Sequence, residues 1–204
     1  MLITFEGTEG VGKSTQLAKL EQKLVQRGYQ VVSIREPGGT PFGEQCRAIF
    51  KHTVEPIFPE TELLLLNASR AQLVRQVIRP ALAVGKVVLC DRYIYSTIAY
   101  QQFGRRLDGQ LVSTVIKCAI GDTHPDLTIL LVASEAVTRN RIASRKKTDR
   151  IEAEDAAFFQ RVDEGLMCLA EKCPDIQVVG ADGSVDDVAE QVWRHVAVAI
   201  KACG

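Results

Sequence analysis

The sequence predicts an α/β domain with a doubly wound parallel sheet. Three observations predict it: short β-rich apolar runs alternate with longer segments of helical period; the runs are continuously apolar, as in strands buried on both faces; and most helical segments stop at a glycine. With 204 residues the chain lies within the span of one domain, so residues 1–204 are expected to share one core. Hydrophobic residues make up 46% and charged residues 25%, which excludes a disordered, collagen-like or coiled-coil chain. Lys plus Arg and Asp plus Glu both total 25, so the chain lacks the footprint of a general nucleic-acid or polybasic membrane binder, and any anion site must be local.

In chain order, Leu2 to Phe5 is the first strand candidate, followed by a glycine-rich loop and a helix from Lys13 to Arg27 that Gly28 ends. Val31 to Ile34 is the second strand. A long helical pattern runs from Glu60 to Val84 and stops at Gly85. Pro80 lies inside it without an N–H to donate, so a kink or split is expected near Arg79. Val87 to Cys90 is the third strand, Gln110 to Ile120 a helix ended by Gly121, and Leu127 to Val132 the fourth strand. A charged stretch from Glu135, a strand from Ile176 to Val179 and a helix from Val185 to Ala202 complete the alternation. Trp193 shares its helical spacing with Val188, Val192 and Val196, as a core or interface residue does. Met1 to Glu6 has no basic or long apolar leader, and no run approaches about 18 apolar residues, so a cytoplasmic protein without a membrane span is expected. Cys46, Cys90, Cys118, Cys168, Cys173 and Cys203 show neither a CxxC pair nor zinc spacing. Cys90, in an apolar run, and Cys118, in a helical pattern, read as small buried hydrophobes in a reduced compartment.

The loop Gly7-Thr8-Glu9-Gly10-Val11-Gly12-Lys13-Ser14 matches GxxxxGK[ST] in the strand-loop-helix context that pattern requires. Its glycines let backbone N–H groups turn toward an anion, Lys13 adds a mobile positive charge for β- and γ-phosphates, and Ser14 offers a hydroxyl to Mg²⁺. The pattern points to a nucleoside triphosphate site. Asp91 ends the third strand, where such an acid holds Mg²⁺ or a metal-bound water. Arg92 beside it suits either a second anionic substrate or a surface ion pair. Arg35 ends the second strand ahead of Glu36-Pro37-Gly38-Gly39-Thr40, a turn shaped by its proline and glycines. Parallel topology aims both strand tips at the rim of the Gly-rich loop, which favours a second phosphate site. From Arg139 to Arg150, six basic residues stand against one acid, Asp149, and fit a basic lid over residues 143–152 that closes over phosphates and excludes water. His52, His124 and His195 lie in unrelated contexts and are given no chemistry.

The segments GTEGVGKST, REPGGT, LLLLNASRAQLV, CDRYIYSTIAYQ and TDRIE, in this order and spacing, resemble the thymidylate kinase family of the bacterial type, and the likeness runs through nearly the whole chain. The resemblance implies the nucleoside-monophosphate kinase version of the P-loop NTPase fold: a five-stranded parallel sheet with helices on both faces and a short basic lid, assembled as a homodimer. It implies the reaction ATP plus dTMP giving ADP plus dTDP, with Mg²⁺. Carried over by position, the loop from Gly7 through Thr8, Glu9, Gly10, Val11, Gly12, Lys13 and Ser14 to Thr15 would hold ATP, with Ser14 and Asp91 on the metal. Arg35 and Arg92 would bind the dTMP phosphate and Arg70 the thymine O4 edge. Pro37, Leu66, Ser96, Thr97, Tyr100 and Gln101 fall on the wall around base and sugar. Glu9 would accept from the 3′-hydroxyl of dTMP, and Arg145 matches a lid arginine; Lys13, Arg92, Arg145 and Glu9 are the catalytic candidates. Leu66 stands where relatives often place a Phe that stacks on thymine, and Lys146-Lys147 where a Gly-acid pair is common.

A kinase for another nucleotide would share Lys13 and Asp91 but differ around Arg70 and Thr97. A P-loop switch would bind nucleotide without transferring phosphate, and the paired strand-tip arginines count against it.

Overall fold

A computed structural model describes residues 1–143, 150–151 and 153–203. Strands β1 (Leu2–Glu6), β2 (Val31–Arg35), β3 (Val87–Asp91), β4 (Leu127–Val132) and β5 (Ile176–Gly180) form an all-parallel sheet in the order β2-β3-β1-β4-β5. Each strand lies within a residue of its expected place. Helices α1 (Lys13–Gln26), α2 (Pro41–His52), α3 (Pro59–Leu73), α4 (Arg79–Ala83), α5 (Ile94–Thr97), α6 (Gly109–Ile120), α7 (Glu135–Ala143), α8 (Ala156–Lys172) and α9 (Val185–Cys203) connect and cover the strands.

Side chains alternate along a strand, so β1 feeds two cores. Ile3 and Phe5 join Leu89, Ile129 and Leu131 beneath α1 and α9, against Leu20, Leu24, Val188, Val192 and Val196. Leu2, with Val88, Cys90 and Leu130, faces α3, α6 and α8 through Leu63, Leu73, Ile120 and Val162. Burying each such aliphatic side chain is worth about 1.5–3 kcal/mol. Trp193 is half-buried on the α1–α9 seam as expected, with Lys23 Nζ 4.8 Å and the Arg27 guanidinium carbon 4.5 Å from its ring centroid. Lys19 and Lys23 cross the same seam to Asp186 at 2.7 Å and Glu190 at 3.0 Å.

The break expected near Arg79 falls between α3 and α4, where Val74–Ile78 takes wider π-type turns. Widening the hydrogen-bond pattern just before Pro80 absorbs the bond the proline cannot donate. A second π-type segment, Ile98–Gly104, continues α5 and carries Tyr100 and Gln101. Three helical segments went unforeseen in the sequence: α5 with its π-type continuation, α2, capped by Thr40 Oγ1 accepting from Gly43 N at 2.9 Å, and α8, capped by Asp155 Oδ1 accepting from Phe158 N at 2.7 Å. Cys46 and Cys90 are buried, but Cys118 is exposed, which corrects its reading as a buried hydrophobe. In α6 it is Ile116, Ala119 and Ile120 that face the core, and Cys118 lies between them on the outward side. Among the described residues no helix is long and apolar enough to cross a membrane.

Candidate active site

The loop from Gly7 to Ser14 joins the central strand β1 to α1. Gly7 must be glycine: its φ is +131°, and a Cβ there would lie 2.4 Å from the carbonyl oxygen of Leu131 on β4. Gly12, at φ +100°, starts α1 without a side-chain cap, so the first N–H groups of the helix remain available to an anion. Lys13 folds back over the loop and donates to the carbonyl oxygens of Gly7 and Thr8, each at 2.8 Å. Burial and the nearby Arg92 charge push its ammonium pKa down to about 8, against the opposing pull of Glu9, Asp91 and Glu6. Ser14 Oγ donates to Asp91 Oδ2 at 2.7 Å, which brings the loop hydroxyl and the β3 carboxylate together.

In front of the loop, a cavity of about 310 Å³ opens at the carboxyl ends of β1, β2 and β3. Arg92 N donates to Phe5 O at 2.9 Å, continuing the β1–β3 ladder, and its backbone then turns to φ +70°. Buried Glu6 holds that turn by accepting from Tyr93 N at 2.9 Å and from the Ser96 hydroxyl. The Arg92 guanidinium donates to Ser96 Oγ at 3.0 Å and to Glu9 Oε1 at 2.6 Å, and lies over the Tyr100 ring. The Tyr100 hydroxyl donates to Glu9 Oε2 at 2.8 Å. Burial would raise the Glu9 carboxyl, but Arg92, Lys13 and that hydroxyl outweigh it and hold the pKa below its ordinary value. Glu9 therefore turns toward Arg92 and Tyr100, which resolves how a carboxylate fits in an anion-binding loop.

Further along the wall, Arg70 is buried and forks onto Glu36 Oε2, from Nε at 2.7 Å and Nη2 at 2.6 Å. Its remaining donors reach Asn67 Oδ1 at 2.9 Å and Tyr93 O at 3.0 Å. Arg35 stands exposed at the β2 tip and pairs with Glu44 at 3.2 Å, while Glu44 also accepts from Gly39 N at 3.0 Å. A second cavity, of about 290 Å³, lies behind the loop between Arg141 and the segment following β5. There Arg141 donates to Ala181 O at 3.0 Å and to Gly10 O at 3.3 Å.

A family model described as thymidylate kinase matches residues 5–192. A thymidylate kinase of Kosmotoga olearia is 43% identical over 100% of this chain and 99% of its own length, and one of Gloeobacter violaceus is 47% identical over 97% and 95%. A crystal structure of thymidylate kinase from Ehrlichia chaffeensis superposes with a TM-score of 0.80 at 30% identity, covering 96% of this chain and 98% of that one. The chain belongs to the thymidylate kinase family. Its five-stranded parallel sheet with surrounding helices is the P-loop NTPase architecture of that family.

Within this thymidylate kinase fold, sixteen of the sequence-predicted positions gather on one cavity: Glu9, Gly10, Gly12, Lys13, Ser14, Thr15, Arg35, Pro37, Leu66, Arg70, Asp91, Arg92, Ser96, Thr97, Tyr100 and Gln101 all line it. Val11 lines the second cavity, and Gly7 and Thr8 supply the carbonyls that hold Lys13. Arg145, with Lys146 and Lys147, lies outside the described residues. The sequence reading gives no role to Glu6, Glu36, Glu44 or Glu62, and counts Arg141 only within the basic run from Arg139 to Arg150. Glu36 and Glu44 carry a signal, since each lies in or beside the REPGGT turn with an arginine nearby. Glu62 carries none, because its partners are remote in sequence.

Proposed function

We propose that this chain transfers the γ-phosphoryl group of ATP to dTMP, giving dTDP and ADP, a step of dTTP synthesis in the cytoplasm. A phosphate oxygen of dTMP bonds to the γ-phosphorus as the bond to the β–γ bridging oxygen breaks, and ADP leaves with that electron pair. A phosphate monoester has a second pKa of about 6, so the acceptor is a dianion near neutral pH and needs no strong base. The task is to compensate charge and hold two polyanions in line. Lys13 and the backbone of Gly10 to Thr15 hold the donor phosphates. Arg92 and Arg35 hold the acceptor phosphate, Arg70 and Gln101 the base, and Glu9 the sugar 3′-hydroxyl. Ser14 and Asp91 would hold Mg²⁺: a hydroxyl and a carboxylate in contact are hard oxygen donors, and so few protein ligands suit an ion that keeps several waters. When bound, that ion neutralises charge on the transferring phosphates.

Residues 1–204 form one kinase domain in this reading, with residues 143–152 as its lid and Arg145 reaching the transferring group on closure. The chain pairs with a second copy: α2 and α3 expose Phe42, Ile49 and Leu64 at 48%, 50% and 58%, apolar side chains that a subunit contact would cover. Light scattering on the purified protein tests that pairing.

The observation that carries the proposal is that one cavity joins the P-loop lysine to both strand-tip arginines, which supports two phosphate sites on one rim. ADP release from Mg²⁺-ATP, followed with dTMP, dUMP, UMP, CMP, AMP and thymidine, tests it. Release should depend on dTMP and fail with thymidine. Rapid ATP hydrolysis unchanged by dTMP would overturn the reading.

A further inference from the structure

Glu6 ends β1, is 1% exposed and is not among the residues that line the large cavity, whereas Arg92 and Ser96 are. Its two oxygens serve different partners: Oε1 accepts from Tyr93 N at 2.9 Å and Oε2 from the Ser96 hydroxyl. Ser96 Oγ in turn accepts from Arg92 Nη1 at 3.0 Å, while Arg92 Nη2 donates to Glu9 Oε1 at 2.6 Å. The guanidinium is thus fixed at both terminal nitrogens, once by a charge and once by a hydroxyl. Burial raises the Glu6 pKa above its ordinary value, against the opposing pull of the Ser96 hydroxyl, the Arg92 charge and the N–H groups of Tyr93 and Ser96. An ionised carboxylate offers only acceptors and a guanidinium only donors. The single Ser96 proton therefore goes to Glu6, and the lone pairs of Ser96 are left to face Arg92. Were that proton turned the other way, two donors would meet and the bond would be lost. Arg92 itself has φ +70°, a left-handed conformation that a Cβ makes costly and that persists where neighbours over-determine it.

We propose that Glu6 is a positioning residue for the acceptor phosphate: by taking the Ser96 proton it turns the Ser96 lone pairs to Arg92 and fixes the plane in which that guanidinium meets the phosphate. The inference rests on the reading of Arg92 as a ligand of the dTMP phosphate. The donors of a guanidinium lie in one plane, so its grip on a phosphate depends on how that plane is set. Without Ser96, Glu9 holds one terminal nitrogen and the plane can swing about that bond. Glu6 exerts this control without touching the substrate. Its effect is confined to the phosphate, because Arg92 has no part in holding the base or the sugar.

Glu6→Gln has the same shape but only one acceptor oxygen. With that oxygen kept on Tyr93 N, its NH₂ donates to Ser96 Oγ and the hydroxyl proton turns to Arg92. Calorimetry should then show dTMP bound about tenfold more weakly than by the native protein, with thymidine and ATP changed by about twofold at most. A loss shared equally by dTMP and thymidine would make Glu6 a support of the whole wall and overturn the proposal. Ser96→Ala removes the relay while leaving Glu6 in place, and should show the same phosphate-selective loss by itself. In the Ser96→Ala background, Glu6→Gln should weaken dTMP by no more than about twofold further. Full additivity would mean that Glu6 acts without Ser96, against the proposal. Where Glu6→Gln does not fold, Ser96→Ala decides alone: a selective loss of dTMP supports the relay, and an equal loss of dTMP and thymidine overturns it. If the native enzyme phosphorylates dTMP while the variants lose it unselectively, this inference falls and the kinase reading stands. If no nucleoside monophosphate accelerates ADP release, the kinase reading falls and takes the inference with it.

Discussion

The two ends of the cavity hold their charge in opposite ways. At the P-loop end the donors are backbone N–H groups on one contiguous stretch, and the single lysine carries a charge that burial disfavours, with its pKa near 8. At the other end three arginines are already paired: Arg92 with Glu9, Arg70 with Glu36, Arg35 with Glu44. The first arrangement gains by taking in negative charge. The second has neutralised its charge in advance and uses the pairs to hold side chains in place, so it exchanges attraction for orientation.

The largest effect that sharpens this contrast is on stability. Arg70→Met would leave Glu36 buried without its partner, which should lower the unfolding free energy by about 3–5 kcal/mol in urea titration. A loss below about 1 kcal/mol would mean that the pair does not pin the wall. Next, Lys13→Ala should reduce kcat by about 10²–10³-fold while the thermal midpoint moves little, since its charge matters most where negative charge develops in transfer. Near-normal turnover in the folded variant would erase the difference between the two ends.

Glu9→Gln should cost about 1–3 kcal/mol in kcat/KM with dTMP, and an acceptor lacking the 3′-hydroxyl should lose little more. Equal losses with both acceptors would assign Glu9 to Arg92 alone, making it a clamp like Glu36 and strengthening the contrast. The smallest effect is a proton count. A bound polyanion raises the Lys13 pKa from about 8, so ATP binding at pH 8 should take up as much as about half a proton, an uptake absent in Lys13→Ala. Calorimetry in buffers of different ionisation enthalpy measures it. Proton release in place of uptake would show that the free lysine is not the depressed group described above.

The P-loop end was legible in the sequence because its chemistry is local: glycines, lysine and serine occupy fixed offsets between a strand and a helix. The strands were legible for a similar reason, since burial on both faces writes a continuous apolar run. The other end is assembled from segments whose contacts no local pattern encodes. Glu62 reads as the polar edge of a leucine-rich helix, yet its partners Gln101, Arg105 and Arg150 lie 39, 43 and 88 residues away. Arg70 was expected to meet a ligand directly, and nothing in NASR announces that Glu36 takes two of its donors. Helix α2 did carry a start signal, Thr40 followed by Pro41, but the glycines before it read more strongly as a turn. Helix α8 was hidden because its cap, Asp155, stands beside Glu152 and Glu154, where one more acid gives no distinct start signal.

Trp193 is the chain's single tryptophan, and it lies beside two cations on the α1–α9 seam, on the face of the sheet away from α3, α6 and α8. The protein thus contains one indole, excited selectively beside its four tyrosines, and its emission reports whether the last helix is still docked on the helix that follows the P-loop. Unfolding should shift that emission to the red in a single step shared by the two cores if they melt together. Filling the base wall, by contrast, should leave the spectrum almost unchanged, so a dTMP-dependent change in Trp193 emission would be an optical sign of motion carried from the P-loop along α1.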